Sequence, residues 1–168
     1  MKILVFSDSH GSVSAMEKAI FDNLSLGVID RIFFLGDGIR DFNKIKELYP
    51  NLSFDSVLGN CDVFLPSALF SEYVKIVKCC GITFMLTHGH TFNMKLTYES
   101  AVDYAAVNGV DIILFGHTHR AEDTNEISSF ESKKIRLINP GSIGSAYRAS
   151  YAVLNIVNGN VICGFGKV

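Results

Sequence analysis

Five short strand-like segments of this chain are each followed by histidine, aspartate or asparagine. The first, residues 3–6, leads into Asp8 and His10. The other four are residues 30–35, 54–58, 83–87 and 110–115, and they lead into Asp37, Asn60, His88 with His90, and His117 with His119. All five histidines of the chain are in this position. Ligand sites of open α/β sheets lie beyond the carboxyl ends of strands. The pattern therefore predicts that five strands bring side chains of the kind that bind metals to one edge of the sheet.

Each of these patterns has an ordinary explanation when it is taken alone. Gly36-Asp37 and Gly59-Asn60 are typical of turns, and Asp8 is equally compatible with a turn that precedes a surface histidine. Residues two positions apart face the same side of a strand, so the carboxylate of Asp8 and an imidazole beyond it can share one divalent metal. The placement of every histidine at a strand end is improbable by chance, and it favours a metal site over unrelated turns.

The order of the predicted elements indicates an α/β protein. In the first half, the strands alternate with a helix that starts at a Ser14-x-x-Glu17 capping box and ends at Gly27, and with a second helix over 41–48. The second half predicts hairpins, together with a helix over 96–107; the paired segments are 73–77 with 83–87, 124–129 with 134–138, and 151–157 with 161–165. Two mixed β-sheets packed face to face and flanked by helices satisfy both halves. The sequence therefore predicts a four-layer αββα sandwich, formed as a single domain over 1–168.

Composition limits the classes of partner. The 168 residues include 15 basic and 17 acidic side chains, a formal net charge of -2, which gives no electrostatic reason to expect binding to long nucleic acids or anionic membranes. No apolar stretch approaches the ~20 residues of a membrane span. Cys61, Cys79, Cys80 and Cys163 show no C-x-x-C spacing, and without a secretory signal we expect reduced thiols in a cytoplasmic protein. Exposed hairpin edges leave room for a homo-oligomer.

The motifs, taken in order, resemble those of the calcineurin-like metallophosphoesterase superfamily. They are Asp8-x-His10, Gly36-Asp37, Gly59-Asn60-x-Asp62, His88-Gly89 and Gly116-His117-x-His119, followed by Asn139-Pro140-Gly141-Ser142 and Tyr151-Ala152-Val153-Leu154. The short chain and the Gly-Asn-Cys-Asp form are most similar to the compact bacterial and archaeal phosphodiesterase branch, which also contains the retromer scaffold subunit of eukaryotes. The resemblance implies a metal-dependent phosphodiesterase that acts on a small phosphoester.

The resemblance also implies two divalent metal ions. One would bind Asp8, His10, Asp37 and His119, and the other Asp37, Asn60, His88 and His117, so that Asp37 bridges them. A bridging carboxylate helps to hold two dications about 3.5–4 Å apart, and a hydroxide between them can attack phosphorus in line. Mixed oxygen and nitrogen ligands fit Mn²⁺, iron or Zn²⁺ better than Ca²⁺. The resemblance favours Mn²⁺, and Ni²⁺ is also compatible.

Four residues near the motifs have open roles. His90 can orient a phosphate, donate a proton or be a polar loop residue, and Arg148 can bind a phosphate bidentately or lie solvated on the surface. Asp62 is interpreted as a turn cap or hydrogen-bond acceptor rather than a metal ligand. Cys61 stands where many relatives have a histidine that protonates the leaving oxygen, and a thiol is a poor replacement. Since general acid catalysis typically contributes about 10²–10⁴-fold, we expect slow turnover of alkyl esters and faster turnover of esters with acidic leaving groups.

Two other functions share this pattern. A binding scaffold of the same fold would do no chemistry, but Asp8 and Asp37 would then repel each other while partly desolvated, so the complete ligand set favours an enzyme. A phosphomonoesterase or nuclease would use the same metals, although the absence of a basic patch argues against long nucleic acids. We expect the loops 38–42, 61–72, 91–97 and 141–150 to shape the substrate pocket.

Overall fold

The chain forms ten strands and four α-helices over residues 1–62 and 70–168, the parts that the computed structural model describes. In chain order these are β1 Lys2–Phe6, α1 Val13–Ser25, β2 Arg31–Phe34, α2 Ile39–Leu48, β3 Ser53–Ser56, α3 Phe70–Tyr73, β4 Val74–Cys79, β5 Ile82–Thr87, α4 Glu99–Val107, β6 Ile112–Leu114, β7 Ala121–Ile127, β8 Lys134–Pro140, β9 Ser150–Val157 and β10 Asn160–Lys167. One turn of 3₁₀-helix, His90–Phe92, lies between β5 and α4.

The strands form two mixed sheets of five. The order is β10-β9-β1-β2-β3 in the first sheet and β4-β5-β6-β8-β7 in the second. Strands β1, β2 and β3 run parallel in the first sheet, and β5, β6 and β8 run parallel in the second. The antiparallel pairs lie toward the edges, at β9 and β10 in one sheet and at β4 and β7 in the other. The predicted site residues therefore follow strands that run in the same direction within each sheet.

Alternation along the strands sorts the apolar side chains into three layers. Ile3 and Val5 of β1 face the second sheet, whereas Phe6 packs with α1 and α2 on the outer face of the first. Between the sheets, the ring centroids of Phe33 and Phe84 lie 6.0 Å apart. Helix α4 covers the outer face of the second sheet. The predicted four-layer αββα sandwich is confirmed.

The predicted start of α1 is wrong. The helix begins at Val13, with Ser12 as its N-cap residue, so Ser14 lies inside the first turn and cannot cap it. The preceding turn is fixed from a distance by Asp41, whose Oδ2 accepts hydrogen bonds from Ser9 Oγ at 2.8 Å and from the N–H of Gly11 at 2.7 Å. A contact between residues distant in the chain therefore sets the start of α1, which the local sequence pattern predicted at a later residue.

The start of α2 is also set by a distant residue. This helix begins at Ile39, before the predicted start at Asp41, because Oδ1 of Asp62 accepts the N–H groups of Gly38 and Ile39 at 2.8 and 2.9 Å. Helix α4 begins at Glu99, within the predicted 96–107. Of the predicted pocket loop 61–72, residues 63–69 lie outside the described residues.

The cysteines and the helices bear on two expectations from the sequence, reduced thiols and the lack of a membrane span. All four cysteines are free thiols. Among the helices of the described residues, none has both the length and the apolar character needed to cross a membrane.

Candidate metal centre

The seven predicted metal ligands follow strands of both sheets. The first sheet supplies Asp8 and His10 after β1, Asp37 after β2 and Asn60 after β3. The second sheet supplies His88 after β5, and His117 and His119 after β6. The structure brings all seven into one cluster where the two sheets meet.

The carboxylate of Asp8 is at the centre of this cluster. Asp8 is fully buried, and its Oδ1 lies 3.1 Å from Nε2 of His119. The same oxygen lies 3.9 Å from Nε2 of His10 and 3.9 Å from Nε2 of His88. Its other oxygen, Oδ2, accepts the backbone N–H of His117 at 3.2 Å. Within the described residues Oδ1 has no hydrogen-bond partner. Because a buried carboxylate oxygen without a donor is unfavourable, this atom is well suited to a bound cation.

His88 links the two carboxylates of the cluster. Its Nε2 lies 3.4 Å from Oδ2 of Asp37 and 3.2 Å from Oδ1 of Asn60. Its Nδ1 donates to the carbonyl oxygen of Leu35 at 2.8 Å, since a carbonyl can only accept. That hydrogen bond fixes the ring and directs Nε2 into the cluster. In metal-bound histidines, the ring nitrogen that does not bind the metal commonly makes such a bond.

Two groups of candidate ligand atoms in the cluster share the carboxylate of Asp8, and a third group, of His10, Asp37 and Cys61, connects them. One potential ligand atom from each of Asp8, His10 and His119 lies within 4.8 Å of the other two. The same holds for Asp8, Asp37 and His88. Asp37 is also that close to His10. Asp37 therefore reaches both groups, which is the position a bridging ligand requires. Asp8 reaches both groups as well, which the resemblance does not imply.

Burial and mutual charge shift the pKa values of the cluster. Burial opposes both changes, yet the hydrogen bond between Asp37 and His88 holds the pKa of Asp37 well below its usual range and raises the pKa of His88. Burial, together with the charges of His88 and Lys95, lowers the pKa of His117 to about 4. Burial and His88 also lower the pKa of His90. The lowered pKa values of Asp37 and His117 favour an ionised carboxylate and a neutral imidazole, the protonation states that metal ligands need.

His90 and Arg148, the two predicted substrate-binding residues outside the ligand set, are placed differently. The ring of His90 lies 5.4 Å from that of His88 and makes an edge contact with Tyr73 at 5.3 Å. Its Nδ1 is buried and has no hydrogen-bond partner among residues 1–62 and 70–168. Arg148 is exposed, and its backbone N–H donates to Ser145 Oγ at 3.2 Å. The structure thus brings His90 to the cluster, while the role of Arg148 stays a prediction.

Cys61 lies at the rim of the cluster. It occupies the position at which the family resemblance implies a proton donor to the leaving oxygen. Its backbone N–H donates to Oδ1 of Asp37 at 2.7 Å, and the amide nitrogen of Asn60 donates to its sulfur at 3.2 Å. A hydrogen bond between its thiol and the Asp37 carboxylate, together with burial, raises the pKa of Cys61 to about 11. The thiol is therefore held neutral.

Five of the seven predicted ligands have a left-handed backbone conformation. The φ angles are 55° at Asp8, 42° at His10, 56° at Asp37, 65° at His117 and 58° at His119. Such angles are uncommon outside glycine and cost of order 1–3 kcal/mol each, so the surrounding structure must enforce them.

The loops after β2 and β3 enforce part of this geometry by packing backbone against backbone. A Cβ atom on Gly36 would lie 2.4 Å from the backbone nitrogen of Gly59. A Cβ atom on Gly59 would lie 2.1 Å from Oδ1 of Asp37. Both positions therefore require glycine, which explains the Gly-Asp and Gly-Asn form of the two motifs.

Asp62 holds the same two loops together by hydrogen bonds. It is 8% exposed, and its two carboxylate oxygens accept four backbone N–H groups at 2.8–2.9 Å, those of Asp37, Gly38, Ile39 and Gly59. The interpretation of Asp62 as a cap and acceptor agrees with these contacts, which join two loops rather than one turn.

Sequence reasoning missed the roles of Asn139 and Ser142. Nδ2 of Asn139 donates to the carbonyl of Gly116 at 2.8 Å and to Thr118 Oγ1 at 3.0 Å, which orders the turn that carries two histidines. Oγ of Ser142 donates to the carbonyl of Asp8 at 2.9 Å. The Asn-Pro-Gly-Ser motif was the available signal, but only the folded chain shows what its polar groups contact.

Known proteins resemble this chain in sequence and in fold. The family model of the calcineurin-like phosphoesterase superfamily domain matches residues 1–159. The chain is 28% identical to the probable metallophosphoesterase YsnB of Bacillus subtilis, over 94% of this chain and 86% of that protein. It is 27% identical to the phosphodiesterase YfcE of Escherichia coli, over 92% of this chain and 88% of that protein.

A solved structure extends the likeness to the fold. Wild-type Vps29 of Entamoeba histolytica, complexed with Zn²⁺, matches with a TM-score of 0.68 and 22% identity, over 99% of this chain and 99% of that one. The resemblance inferred from the motifs is therefore confirmed. The chain belongs to the calcineurin-like phosphoesterase superfamily.

Proposed function

We propose that this chain is a metal-dependent phosphodiesterase that binds two divalent cations and hydrolyses a small phosphoester. The observation that carries the proposal is the buried Oδ1 of Asp8, which has no hydrogen-bond donor among the described residues and faces imidazole nitrogens from both sheets. A divalent cation satisfies such an oxygen. Carboxylate, amide and imidazole donors fit Mn²⁺, iron, Zn²⁺ or Ni²⁺, and Mn²⁺ is our first candidate.

The ligands divide into two sets around a shared carboxylate. One set is Asp8, His10, Asp37 and His119, and the other is Asp37, Asn60, His88 and His117. The proximity of Asp37 to both His10 and His88 supports its role as the bridge. When bound, two such cations supply a hydroxide for in-line attack on phosphorus and stabilise the charge of the transition state.

Residues around the ligands have distinct tasks in this reaction. The carbonyl of Leu35 fixes the ring of His88, and the amide of Asn60 lies beside that ring, where it can also contact a phosphate oxygen. His90 is adjacent, and its Nδ1, which has no hydrogen-bond partner among the described residues, can orient the substrate. Arg148 follows the loop whose backbone contacts Asp8, and from there it can bind the phosphate. The neutral Cys61 thiol is a weak proton donor, which supports slow turnover of alkyl esters.

The experiment measures metal content and hydrolysis together. Protein purified without chelator is analysed for bound metals, and its activity on bis(p-nitrophenyl) phosphate is measured with Mn²⁺. For Asp37→Asn we expect weaker binding of both metals and a loss of activity of at least about 100-fold, since even residues that only orient ligands contribute about 10–100-fold.

The matched control is Asp22→Asn, which removes a carboxylate paired with Lys18 on the surface of α1 and should leave activity unchanged. If the natural protein binds no divalent metal and the diester is not hydrolysed, the phosphodiesterase proposal is wrong. That result would favour a binding scaffold of the same fold.

A further inference from the structure

A pocket adjoins the metal centre at the turn between its last two histidines. It has a volume of about 320 Å³ and is lined by Met94, Lys95, Tyr98, Thr118, Arg120 and Glu122. Thr118 lies between His117 and His119 in the chain and forms part of the pocket wall. The pocket therefore lies beside the turn that carries two of the proposed metal ligands.

The lining of this pocket is positively charged. Lys95 and Arg120 are exposed, and in the described part of the chain neither forms an ion pair. Glu122, the acidic member of the lining, accepts a hydrogen bond of 2.5 Å from the hydroxyl of Tyr98. Two cations beside one engaged carboxylate leave a net positive charge.

The walls of the pocket are held by packing and hydrogen bonds. Met94 is 2% exposed and packs under Gly89, and the ring of Tyr98 contacts that of Phe115 at 5.4 Å. Oγ1 of Thr118 accepts a hydrogen bond from Asn139, so its own hydrogen is available to a ligand. The pocket is thus formed before any ligand arrives, which lowers the entropy lost on binding.

A neighbouring cavity provides a contrast of charge. It also has a volume of about 320 Å³ and shares Tyr98 with the first pocket, but its lining includes Glu99, Asp103 and Glu126. An anionic group is repelled by those carboxylates and attracted by Lys95 and Arg120. The charge of the walls therefore distinguishes two cavities of equal size.

We propose that the pocket at Thr118 binds an anionic group, a carboxylate or a phosphate, on one ester arm of the substrate, and that Lys95 and Arg120 select for it. The preferred substrate is then a small phosphodiester with a second negative charge beyond the diester. This proposal rests on the phosphodiesterase function proposed above.

Two diesters with the same leaving group test the proposal. The first is 2-carboxyethyl p-nitrophenyl phosphate, and the second is its 2-carbamoylethyl counterpart, in which a neutral amide of the same shape replaces the carboxylate. We expect the Mn²⁺-loaded protein to prefer the carboxylate by about tenfold in kcat/KM, because two solvent-exposed ion pairs each contribute a factor of a few. Lys95→Gln and Arg120→Gln should each lower this preference to about threefold, and the double variant should abolish it.

A control variant and a binding measurement distinguish a failure of the selectivity proposal from a failure of the proposed function. Lys78→Gln removes an exposed lysine of β4 and should leave the preference at its original value. In the metal-free full-length protein, which does not turn the diesters over, the carboxylate compound should shift the backbone amide resonances of Thr118 and Glu122 more than the amide compound does. Equal rates for the two diesters in the natural protein would overturn the selectivity proposal alone. Hydrolysis of neither would overturn the proposed function instead.

Discussion

At the scale of single residues, the carboxylate with the most hydrogen bonds in the site is not a proposed ligand. Asp62 accepts four backbone N–H groups and thereby joins the loop that carries Asp37 to the loop that carries Asn60. Hydrogen bonds to a buried charged group contribute about 1.5–3 kcal/mol each. The distance between two proposed ligands therefore depends on a residue that is not itself a proposed ligand.

We predict that Asp62→Asn weakens metal binding by about 10–100-fold, because one amide NH₂ would face backbone N–H groups that need an acceptor. Isothermal titration with Mn²⁺ measures the affinity, and saturating metal should restore most of the activity. The control is Asp30→Asn, since Asp30 accepts a single backbone N–H, that of Lys2, and precedes β2 at the end away from the site. An unchanged Mn²⁺ affinity in Asp62→Asn would show that the loops hold their positions without it.

At the scale of secondary-structure elements, helix α4 is tied to the turn between β7 and β8. Oδ1 of Asp103 accepts Ser128 Oγ at 2.7 Å and the N–H of Ser129 at 2.9 Å, and Oδ2 accepts Ser129 Oγ at 2.9 Å. The bond from Ser128, followed by those from Ser129, lowers the pKa of Asp103. The ionised carboxylate thus stabilises the folded chain more than the protonated carboxyl group does.

We predict that Asp103→Asn lowers the Tm at pH 7 and that this difference shrinks in acid. A carboxyl group whose pKa is lowered by folding contributes stability above its unfolded pKa, about 4, and this contribution is lost as the pH falls through the folded pKa. Differential scanning calorimetry from pH 7 to pH 3 measures the effect. Glu131→Gln, an exposed change in the same turn, is the control. A difference in Tm that is constant with pH would contradict the assigned role of the charge.

At the scale of the whole molecule, the proposed ligands join the two halves of the sandwich. Asp8, His10, Asp37 and Asn60 come from the first sheet, and His88, His117 and His119 from the second. A cation held by both sheets binds the folded chain and not the unfolded one. Metal binding should therefore stabilise the entire fold.

We predict that Mn²⁺ at about a hundredfold excess over its Kd raises the Tm by about 5–10 °C relative to protein in chelator. Thermal unfolding followed by circular dichroism measures the shift. Asp37→Asn should show a much smaller shift, because it loses the shared ligand. An identical Tm with Mn²⁺ and with chelator would be incompatible with ligands drawn from both sheets.

Local patterns predicted much of this molecule, and distant contacts set the rest. The layers follow from alternation such as that of Ile3, Val5 and Phe6, and the clustering of histidines follows from their positions at strand ends. The early start of α2 could not be predicted, because the acceptor of its first N–H groups is Asp62, 23 residues from Ile39. The order of strands within each sheet has the same origin, since pairing between β1 and β9 joins the two ends of the chain.

The left-handed backbone at five proposed ligand positions has an evolutionary consequence. Each of these residues is kept at the expense of folding energy, so only selection for its side chain can retain it. In descendants that no longer use the proposed metal site, we expect the same five positions to change toward glycine and asparagine, which adopt this conformation with less strain. Chains with such substitutions should have a larger free energy of unfolding than chains that keep the proposed ligands, and the substitutions at these turns would mark the loss of the proposed metal site.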